Sequence, residues 1–306
     1  MMEITVFGEC MLELSSSSAS QFQQSYAGDV YSVATYLSRL ASKLTINMYT
    51  AVGRDPFSTQ LTKALHNENV NTQLIARHPD KMLGLYVIRN DESGEREFLY
   101  WRDDSAAKHC LKLSPPKQLP RPDVFYLSGI SLAILDETDR ELLITQISTW
   151  KQYGTVVVFD PNHRPKLWNC PEVAKKCYRK IFALSDIALP GMDDLHTLYG
   201  YSQPEQAITW LKGLGCTDIV VKDGSRNIHY ASKEGQGQFK VVPVKQVIDA
   251  TAAGDSFAAG FLARRLQGDS AEQAIAYACE VSSQVLLHQG AIIPKNKFRI
   301  PKAIYG

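Results

Sequence analysis

The sequence predicts an α/β protein whose central sheet is mainly parallel and is covered by helices on both faces. Two observations lead to this prediction. Short β-rich runs alternate with amphipathic helical segments along most of the 306 residues, which is the pattern of repeated βα units. Residues 156–159 (VVVF) and 219–221 (IVV) are continuously apolar, as expected of strands that helices bury from both sides.

The individual elements follow from this pattern in chain order. Each strand candidate is a short β-rich run, and each helix candidate is an amphipathic segment between two strands. The strand candidates are residues 4–8, 45–52, 124–128, 155–160, 187–189 and 218–222. The helix candidates are residues 32–41, 57–68, 137–153, 171–184 and 204–214. Because helices separate the strands, we expect parallel pairing through right-handed crossovers.

One stretch departs from the βα pattern. Residues 84–89 and 96–102 are β-prone, and only the turn-rich residues 90–95 (NDESGE) separate them. Since no helix lies between the two runs, we expect an antiparallel hairpin that projects from the α/β body. The Ser-rich residues 15–20 are predicted to form a loop, because serine buries too little apolar surface to build a core.

The chain shows no internal repeat and no Pro/Gly-rich linker. A linker of that composition is the usual sign of a boundary between two domains. The sequence therefore predicts one domain over residues 1–306, with small β insertions at roughly 12–30 and 82–104.

The composition excludes several classes of function. The 33 Lys and Arg residues nearly match the 32 Asp and Glu residues, and the net charge of +1 argues against a nucleic-acid binder. The six cysteines include no C-x-x-C pair and the seven histidines no H-E-x-x-H, so neither a zinc site nor a disulfide framework is expected. No signal-peptide pattern and no apolar run of the ~20 residues that cross a bilayer is present. We expect a cytoplasmic protein without a membrane partner.

Residues 249–261 (DATAAGDSFAAGF) are the most informative segment for the chemistry. A strand-like stretch at 240–244 precedes them, and a helical run follows. The small residues 252–254 let backbone N–H groups converge at the helix start, where unpaired donors and the helix dipole favour an anion. Asp255, in the first turn, could orient a substrate hydroxyl and accept its proton during phosphoryl transfer. The alternative is that Asp255 only caps the helix.

This segment resembles the C-terminal signature of the ribokinase (pfkB) sugar-kinase family, D-T-x-G/A-A-G-D-x-F-x-A/G-G. The chain departs from that signature at Ala250, where Thr is usual, and at Ala252, where Gly is common. The resemblance implies a ribokinase-like three-layer fold with a mainly parallel sheet, and a small antiparallel β-lid formed by the insertions. It also implies that Asp255 is the catalytic aspartate and that Ala252, Ala253 and Gly254 form the anion hole. No P-loop, dinucleotide or protein-kinase motif competes with this interpretation.

Within the family, the chain is most similar to kinases of 2-keto-3-deoxygluconate. Segments throughout the chain carry this similarity: residues 8–14 (GECMLEL), 84–86 (GLY), 100–102 (YWR), 159–168 (FDPNHRPKLW) and 290–294 (GAIIP). They imply ATP-dependent phosphorylation of this sugar acid to its 6-phosphate, with Mg²⁺. Two alternatives stay open, namely a kinase of a neutral sugar such as fructose or ribose, and a non-catalytic sugar-binding protein on the same fold.

The residue types expected at the sugar site suit an acid. Arg102 and Arg164 offer planar, always-charged forks that can bind a carboxylate bidentately. The alternatives are that Arg102 is a solvated hairpin residue and that Arg164 pairs with Asp160. Tyr86 and Tyr100 alternate with their strand neighbours, so both can offer a flat surface and a hydroxyl to the cleft.

The segment AGD at residues 27–29 resembles the G-G-D of the family, which implies that Gly28 and Asp29 contact sugar hydroxyls. A buried carboxylate that accepts two donors discriminates against analogues that lack them. Ala27 replaces a Gly of the family and Ser32 stands where Asn is usual, so a Ser32 contact is expected through water or not at all.

The ATP contacts are inferred from further motifs. Residues 220–224 (VVKDG) resemble the V-K-x-G of the family that lies along ATP. Lys222 is therefore a candidate phosphate contact, although a surface lysine at a strand end is the alternative, and Gly224 permits close backbone approach. Asn162 and the anion-hole residues are further candidates on the ATP side. Asp193 could take the place of the family acid that acts on Mg²⁺ through water.

The hairpin edge also predicts a partner. Unpaired strand edges are normally covered, because their free N–H and C=O groups can pair with another chain. We therefore expect a homo-oligomer formed through the lid edge, in addition to binding of the sugar acid and ATP.

Overall fold

The computed structural model of the chain describes residues 1–18, 21–90 and 96–302. These residues form two sheets, and helices cover both faces of the larger one. The strands are β1 (Met2–Phe7), β2 (Met11–Ser18), β3 (Gln21–Ala27), β4 (Leu44–Val52), β5 (Ile75–Arg77), β6 (Gly84–Asn90), β7 (Arg96–Trp101), β8 (Val124–Ser128), β9 (Val156–Asp160), β10 (Ile187–Ala188), β11 (Asp218–Val221), β12 (Ile228–Ser232) and β13 (Gly235–Phe239). The α-helices are α1 (Asp29–Leu40), α2 (Pro56–Asn67), α3 (Cys110–Leu113), α4 (Gly129–Ala133), α5 (Glu137–Gln152), α6 (Pro171–Leu184), α7 (Met192–Tyr199), α8 (Pro204–Leu214), α9 (Ala253–Arg265) and α10 (Ala271–Leu286).

The larger sheet has nine strands in the order β13-β12-β11-β10-β9-β8-β1-β4-β5. The pairs from β11 to β5 are all parallel, and β12 and β13 add an antiparallel hairpin at one edge. The prediction of a mainly parallel sheet is confirmed, and every predicted strand and helix of the βα pattern is present.

Side chains of the central strands face two separate apolar cores. On β9, Val157 and Phe159 pack with α5, α6 and α8, whereas Val158 points to the opposite face and packs with α1, α9 and α10. The continuous apolar run is thus explained, since each side of the strand is covered by helices. Among the described residues, none of the helices combines the length and the apolar character of a bilayer span.

The smaller sheet, called the second sheet below, has the order β3-β2-β6-β7. β2–β3 and β6–β7 are antiparallel hairpins, and β2 joins β6 in parallel. The predicted hairpin of β6 and β7 is confirmed, while its connection at 91–95 lies outside the described residues.

The prediction of a loop for residues 15–20 is wrong over residues 15–18, which belong to β2; residues 19 and 20 lie outside the described residues. β2 is an inner strand with a neighbour on each side, and Ser15 pairs with both Gln23 and Ile88. Backbone pairing on both edges therefore holds this strand in place without large apolar side chains.

The prediction of a strand at 240–244 is also wrong, because β13 ends at Phe239 and no strand follows it up to residue 302, where the described part of the chain ends. Pro243 has no backbone N–H for a sheet ladder. Val242 is exposed over 82% of its surface. This segment instead lines a pocket beside the start of α9.

Candidate active site

The charged residues of the predicted site converge at one edge of the larger sheet. Asp160 ends β9, Lys222 directly follows β11, and Asp29 and Asp255 lie in the first turns of α1 and α9. Carboxyl ends of parallel strands and helix N-termini meet at the same edge of an α/β sheet, where ligands of such folds usually bind. Residues from four distant parts of the chain are thereby brought into one cleft.

A chain of hydrogen bonds connects three of these groups. The Lys222 ammonium donates to Asp160 Oδ2 at 2.5 Å, and the backbone N–H of Asn162 donates to Asp160 Oδ1 at 3.2 Å. The Asn162 side-chain amide donates to Asp29 Oδ2 at 3.1 Å. Asn162 also lines the large pocket. It therefore fixes the spacing between two buried carboxylates while it faces the predicted nucleotide side.

Asp255 is half-buried in the first turn of α9. Burial raises the pKa of Asp255 well above the ordinary carboxyl value, and the negative charges of Asp29 and Asp160 raise it further. Lys222 and Arg164 oppose this shift of the pKa. A carboxylate held in such surroundings is a stronger base than an exposed one.

The helix-cap alternative for Asp255 is not supported. The N-cap position belongs to Ala252, and no side chain caps α9. Ala252 adopts the left-handed conformation with φ 61°, which L-residues other than glycine, Asn and Asp rarely adopt. The common Gly of the family signature at this position thus has a direct backbone explanation.

The start of α9 presents backbone donors to the cleft. The hydrogen bonds of the helix begin with the Ser256 N–H, which donates to the Ala252 carbonyl at 2.8 Å. The N–H groups of Gly254 and Asp255 come before this first bond and therefore have no acceptor within the helix. The N–H of Ala253 donates to the Ala250 carbonyl at 3.2 Å. Of the three predicted anion-hole amides, that of Ala253 is therefore already engaged.

Lys222 stands next to these donors. A methyl group added at Gly254 would lie 3.9 Å from Lys222 Nζ. The ammonium group and the helix start therefore act on the same small volume, where both favour negative charge. The alternative of a surface lysine at a strand end is wrong, since the ammonium pairs with the buried Asp160.

Buried hydrogen bonds hold the turn ahead of α9. The Asp249 carboxylate, 4% exposed, accepts the N–H of Thr251 at 2.9 Å and that of Gly290 at 2.8 Å. The tail that follows Gly290 is tied to α1, because Tyr36 Oη donates to the Ala291 carbonyl at 2.8 Å. Sequence reasoning assigned no role to Asp249, although an Asp two residues before a turn amide is a known turn-forming signal.

Tyr86 and Tyr100 lie side by side on the inner face of the second sheet. They are direct partners in the β6–β7 register, with ring centroids 5.6 Å apart. Tyr86 is buried, and it belongs to an apolar cluster that includes Ala291 and against which Ala252 packs at the start of α9. Tyr100 is 52% exposed. Both rings lie on one face of the sheet, and their contact with the sugar stays a prediction.

Arg102 is not the solvated hairpin residue of the alternative interpretation. Its guanidinium forms a buried ion pair with Glu9, whose carboxylate also accepts the Ser105 hydroxyl at 2.5 Å. Arg102 Nε is buried and has no hydrogen-bond partner among the described residues. Glu9 therefore offsets the charge of this guanidinium.

Arg164 follows the β9 end and is exposed. Its side chain donates to the His163 carbonyl at 3.0 Å. The suggested ion pair with Asp160 is wrong, because Asp160 pairs with Lys222 instead. The Arg164 charge lowers the pKa of Asp255, which places this guanidinium on the cleft side.

A pocket of about 500 Å³ lies beside the start of α9. Lys222, Gly224 and Gly254 line one part of it. Gly224 has φ 57°, a conformation that suits glycine. Apolar and small side chains of the 241–247 segment, α9 and α10 line the rest: Val241, Val242, Val244, Val247, Phe257, Cys279 and Leu286. Ser282 and Ser283 of α10 also line this pocket.

Two neighbouring aspartates begin α7, and the structure distinguishes them. Asp193, predicted from the sequence, is exposed. Burial and the charge of Asp160 raise the pKa of Asp194 to about 6, so Asp194 is the one that faces the charged groups. Sequence reasoning missed Asp194 because both acids stand in the same helical turn. In the described part of the chain, no group of three or more His, Cys, Asp or Glu side chains could hold a metal ion.

Gly28 precedes α1 with φ 122°. A Cβ there would lie 2.5 Å from the Glu9 carbonyl oxygen. Ser32, one turn further, is buried and its hydroxyl has no partner among the described residues. The backbone around Asp29 thus needs glycine, while the Ser32 hydroxyl stays unused.

Comparison with known proteins agrees with this architecture. A family model described as pfkB family carbohydrate kinase matches residues 1–297. The chain belongs to the pfkB family of carbohydrate kinases. It is 40% identical to the 2-dehydro-3-deoxygluconokinase of Escherichia coli strain K12 over 304 residues, which cover 96% of this chain and 98% of that relative. It is 38% identical to the enzyme of the same name from Dickeya dadantii, over 95% of this chain and 96% of the relative.

A solved structure shares the fold. The 2-dehydro-3-deoxygluconokinase of Thermotoga maritima superimposes with a TM-score of 0.83, at 20% identity, over 95% of this chain and 94% of that chain. A likeness at this identity supports the three-layer ribokinase-like fold described above.

Proposed function

We propose that the protein transfers the γ-phosphoryl group of ATP to the 6-hydroxyl of 2-keto-3-deoxygluconate. The observation that carries this proposal is the position of the α9 start. Ala252 packs against the apolar cluster that contains Tyr86 of the second sheet, while Gly254 lines the large pocket. Asp255 follows directly in the chain, which supports a role at the junction of a sugar region and a nucleotide region. The names of the relatives at 38–40% identity support the choice of the sugar acid.

In the proposed step, Asp255 accepts the proton of the sugar hydroxyl while that oxygen bonds to the γ-phosphorus. The bond from phosphorus to the bridging oxygen breaks, and ADP leaves. The N–H groups of Gly254 and Asp255 and the ammonium of Lys222 stabilise the charge on the transferred group. The raised pKa of Asp255 assists proton transfer, because a base works best when its pKa is near the working pH.

The large pocket suits a nucleotide. Its volume of about 500 Å³ lies within the usual range for small-molecule sites. Its apolar wall can cover a base, and Lys222 and Gly254 provide the phosphate side. A putative ribokinase II from Escherichia coli, solved with ATP and Mg²⁺, supports this assignment at a TM-score of 0.82.

Mg²⁺ fits the site as a partner of ATP rather than as a protein-held ion. Mg²⁺ prefers oxygen ligands and keeps several waters when a nucleotide binds it. The carboxylates of Asp193 and Asp194 line the pocket and would hold its waters. When bound, the ion supplies positive charge to the phosphate oxygens.

Arg164 favours an acidic substrate over a neutral one. No described acid forms an ion pair with its side chain, which donates to the His163 carbonyl, whereas Glu9 offsets the charge of Arg102. A neutral hexose does not need the Arg164 charge. A coupled ATP assay over keto-acid sugars, fructose and ribose tests the proposal: we expect kcat/KM to be highest for 2-keto-3-deoxygluconate, and a preference for fructose or ribose would contradict it.

We further propose that the second sheet acts as a lid over the sugar and pairs with a second copy of the chain. Its outer face carries Leu14, Val87 and Leu99, with Phe22 and Trp101 exposed over 50% and 58%. A monomer rarely leaves such an apolar face uncovered. Sedimentation of the wild type and of Trp101→Glu tests this: a dimer that the substitution weakens supports it, and a monomeric wild type contradicts it. The cytoplasmic location and the single-domain division stay predictions.

A further inference from the structure

The two glutamates of the GECMLEL segment are buried, and the phosphoryl-transfer step uses neither. Glu9 and Glu13 are 2% and 3% exposed. Glu9 pairs with Arg102. Glu13 lies instead in the second sheet and contacts no positively charged side chain among its described hydrogen-bond partners. A buried carboxylate is costly unless its oxygens are hydrogen-bonded, so the partners of Glu13 define what it does.

Glu13 stands in one row of side chains across the second sheet. The register pairs Ser25 with Glu13, Glu13 with Tyr86, and Tyr86 with Tyr100. Directly paired residues share a face of a sheet, and this row is on the inner face. Exposure increases along the row, from buried Glu13 and Tyr86 to Tyr100 at 52%. The row therefore leads from the buried interior of the second sheet to its edge strand β7.

Both oxygens of Glu13 accept hydrogen bonds. The Ser25 hydroxyl donates to Oε1 at 2.8 Å, and the Tyr86 hydroxyl donates to Oε2. An ionised carboxylate can only accept, which fixes the direction of both bonds. Burial raises the pKa of Tyr86, and the Glu13 charge raises it further, so the phenol keeps its proton. That proton points at Glu13 and away from the cleft.

The Tyr86 hydroxyl oxygen can consequently offer only its lone pairs to a further hydrogen-bond partner. It can accept a hydrogen bond from a substrate hydroxyl, whereas a carbonyl or carboxylate oxygen has no proton to offer it. The nearby Asp255 charge also raises the pKa of Tyr86, which shows that this region is negative. Without Glu13, the phenol could rotate its proton toward the cleft and bind either kind of group.

We propose that Glu13 is a positioning residue that fixes Tyr86 as a hydrogen-bond acceptor, so that the pocket selects a substrate hydroxyl at this point. The inference rests on the proposed sugar-kinase function, and it adds a determinant of specificity. Glu13 contacts the substrate only through Tyr86.

The test uses Glu13→Gln, Tyr86→Phe and the double variant, with Gln23→Ala on the exposed β3 as a control. Each is assayed with 2-keto-3-deoxygluconate and with its 4-deoxy and 5-deoxy analogues. We expect about a tenfold rise in KM for the sugar in Glu13→Gln, by loss of one hydrogen bond to a buried group, and an unchanged KM for ATP. The double variant should be no worse than Tyr86→Phe.

Specificity provides the decisive measurement. The wild type should discriminate against one of the two deoxy analogues, and this discrimination should be lost in both Glu13→Gln and Tyr86→Phe. Multiplicative effects in the double variant, or discrimination that survives in Tyr86→Phe, would overturn the inference. Tyr86→Phe keeps the test valid if Glu13→Gln does not fold. A wild type that fails to phosphorylate any sugar acid contradicts the proposed function itself, which separates the two failures.

Discussion

The two halves of the cleft are built differently. At the phosphate half, the turn ahead of α9 is held by Asp249, and the carboxylates of Asp29 and Asp160 are fixed by Asn162 and Lys222. All these elements belong to the nine-stranded body, which helices cover on both faces. At the sugar half, the residues lie on a four-stranded sheet that leaves Tyr100 and its outer face exposed.

The difference separates the residues that carry out phosphoryl transfer from the residues that select the sugar. Phosphoryl transfer depends on groups placed within a fraction of an ångström, and these sit on the buried framework. Recognition of the sugar depends on side chains of the second sheet, together with Asp29 and Arg164 of the body. Substitutions of the groups that act on the phosphate should therefore reduce turnover of every substrate, and substitutions of the sugar-facing side chains should change the choice among substrates.

The largest effect is expected for Asp255→Asn. Loss of the base should lower kcat by about 10²–10⁴-fold for all sugars, as measured in a coupled assay. Because the wild-type carboxylate is repelled by Asp29 and Asp160, the variant should melt at a higher temperature near neutral pH. Turnover that survives the substitution would contradict the catalytic role and support a different base.

Arg164→Ala should weaken the preference of the enzyme for an acid sugar. We expect a loss of about 2–4 kcal/mol in transition-state binding of the acid sugar, as when a charged partner is removed. Arg89→Ala is the control, since Arg89 is an exposed arginine of the second sheet that pairs with Glu97. An unchanged kcat/KM for the sugar acid would exclude Arg164 as the carboxylate contact.

The pH profile should show the raised pKa of Asp255. The ionised form is the active one, so kcat/KM should fall as the pH drops below neutrality, approaching tenfold per unit well below the pKa. An ordinary carboxylate would keep its activity down to about pH 4. A profile that stays flat to that pH would show that nearby charges do not raise the pKa of the base in the working enzyme.

Gly84→Ala should disturb the second sheet with little effect on the body. A Cβ at this position would lie 2.5 Å from Glu9 Oε1 and 3.2 Å from the Cβ of Arg102. Overpacking of this kind costs about 1–3 kcal/mol. We expect a higher KM for the sugar with an unchanged KM for ATP, and equal changes in both KM values would argue against two separable halves.

The smallest effect is expected for Ala252→Gly. Relief of the left-handed conformation should stabilise the fold by up to about 1 kcal/mol, less the entropy that glycine gains in the unfolded chain. Thermal melting measures the change, and Ala250→Gly at a neighbouring position is the control. A marked destabilisation would indicate that the Ala252 methyl contact with Tyr86 matters more than its backbone strain.

Local patterns were sufficient to predict the parallel sheet and the hairpin of β6 and β7, which follow from periodicity. The placing of Asp29, Lys222 and Asp255 in one site was implied by the resemblance of three separate segments to the family. The Glu9–Arg102 pair joins residues 93 positions apart, and no local signal reports such a contact. The serine strand was missed for a similar reason, because its stability comes from neighbours on both sides rather than from its own side chains.

The bond between Asp249 and Gly290 has a consequence for how the protein is made. Ribosomes release the chain from its amino end, and Asp29, Tyr86 and Asp160 all emerge long before residue 290. The turn that carries Asp255 gains its last hydrogen bond only when Gly290 becomes available, and Tyr36 waits for Ala291. A nascent chain can thus complete its sheet and its sugar-facing surface while the phosphate half remains unfinished.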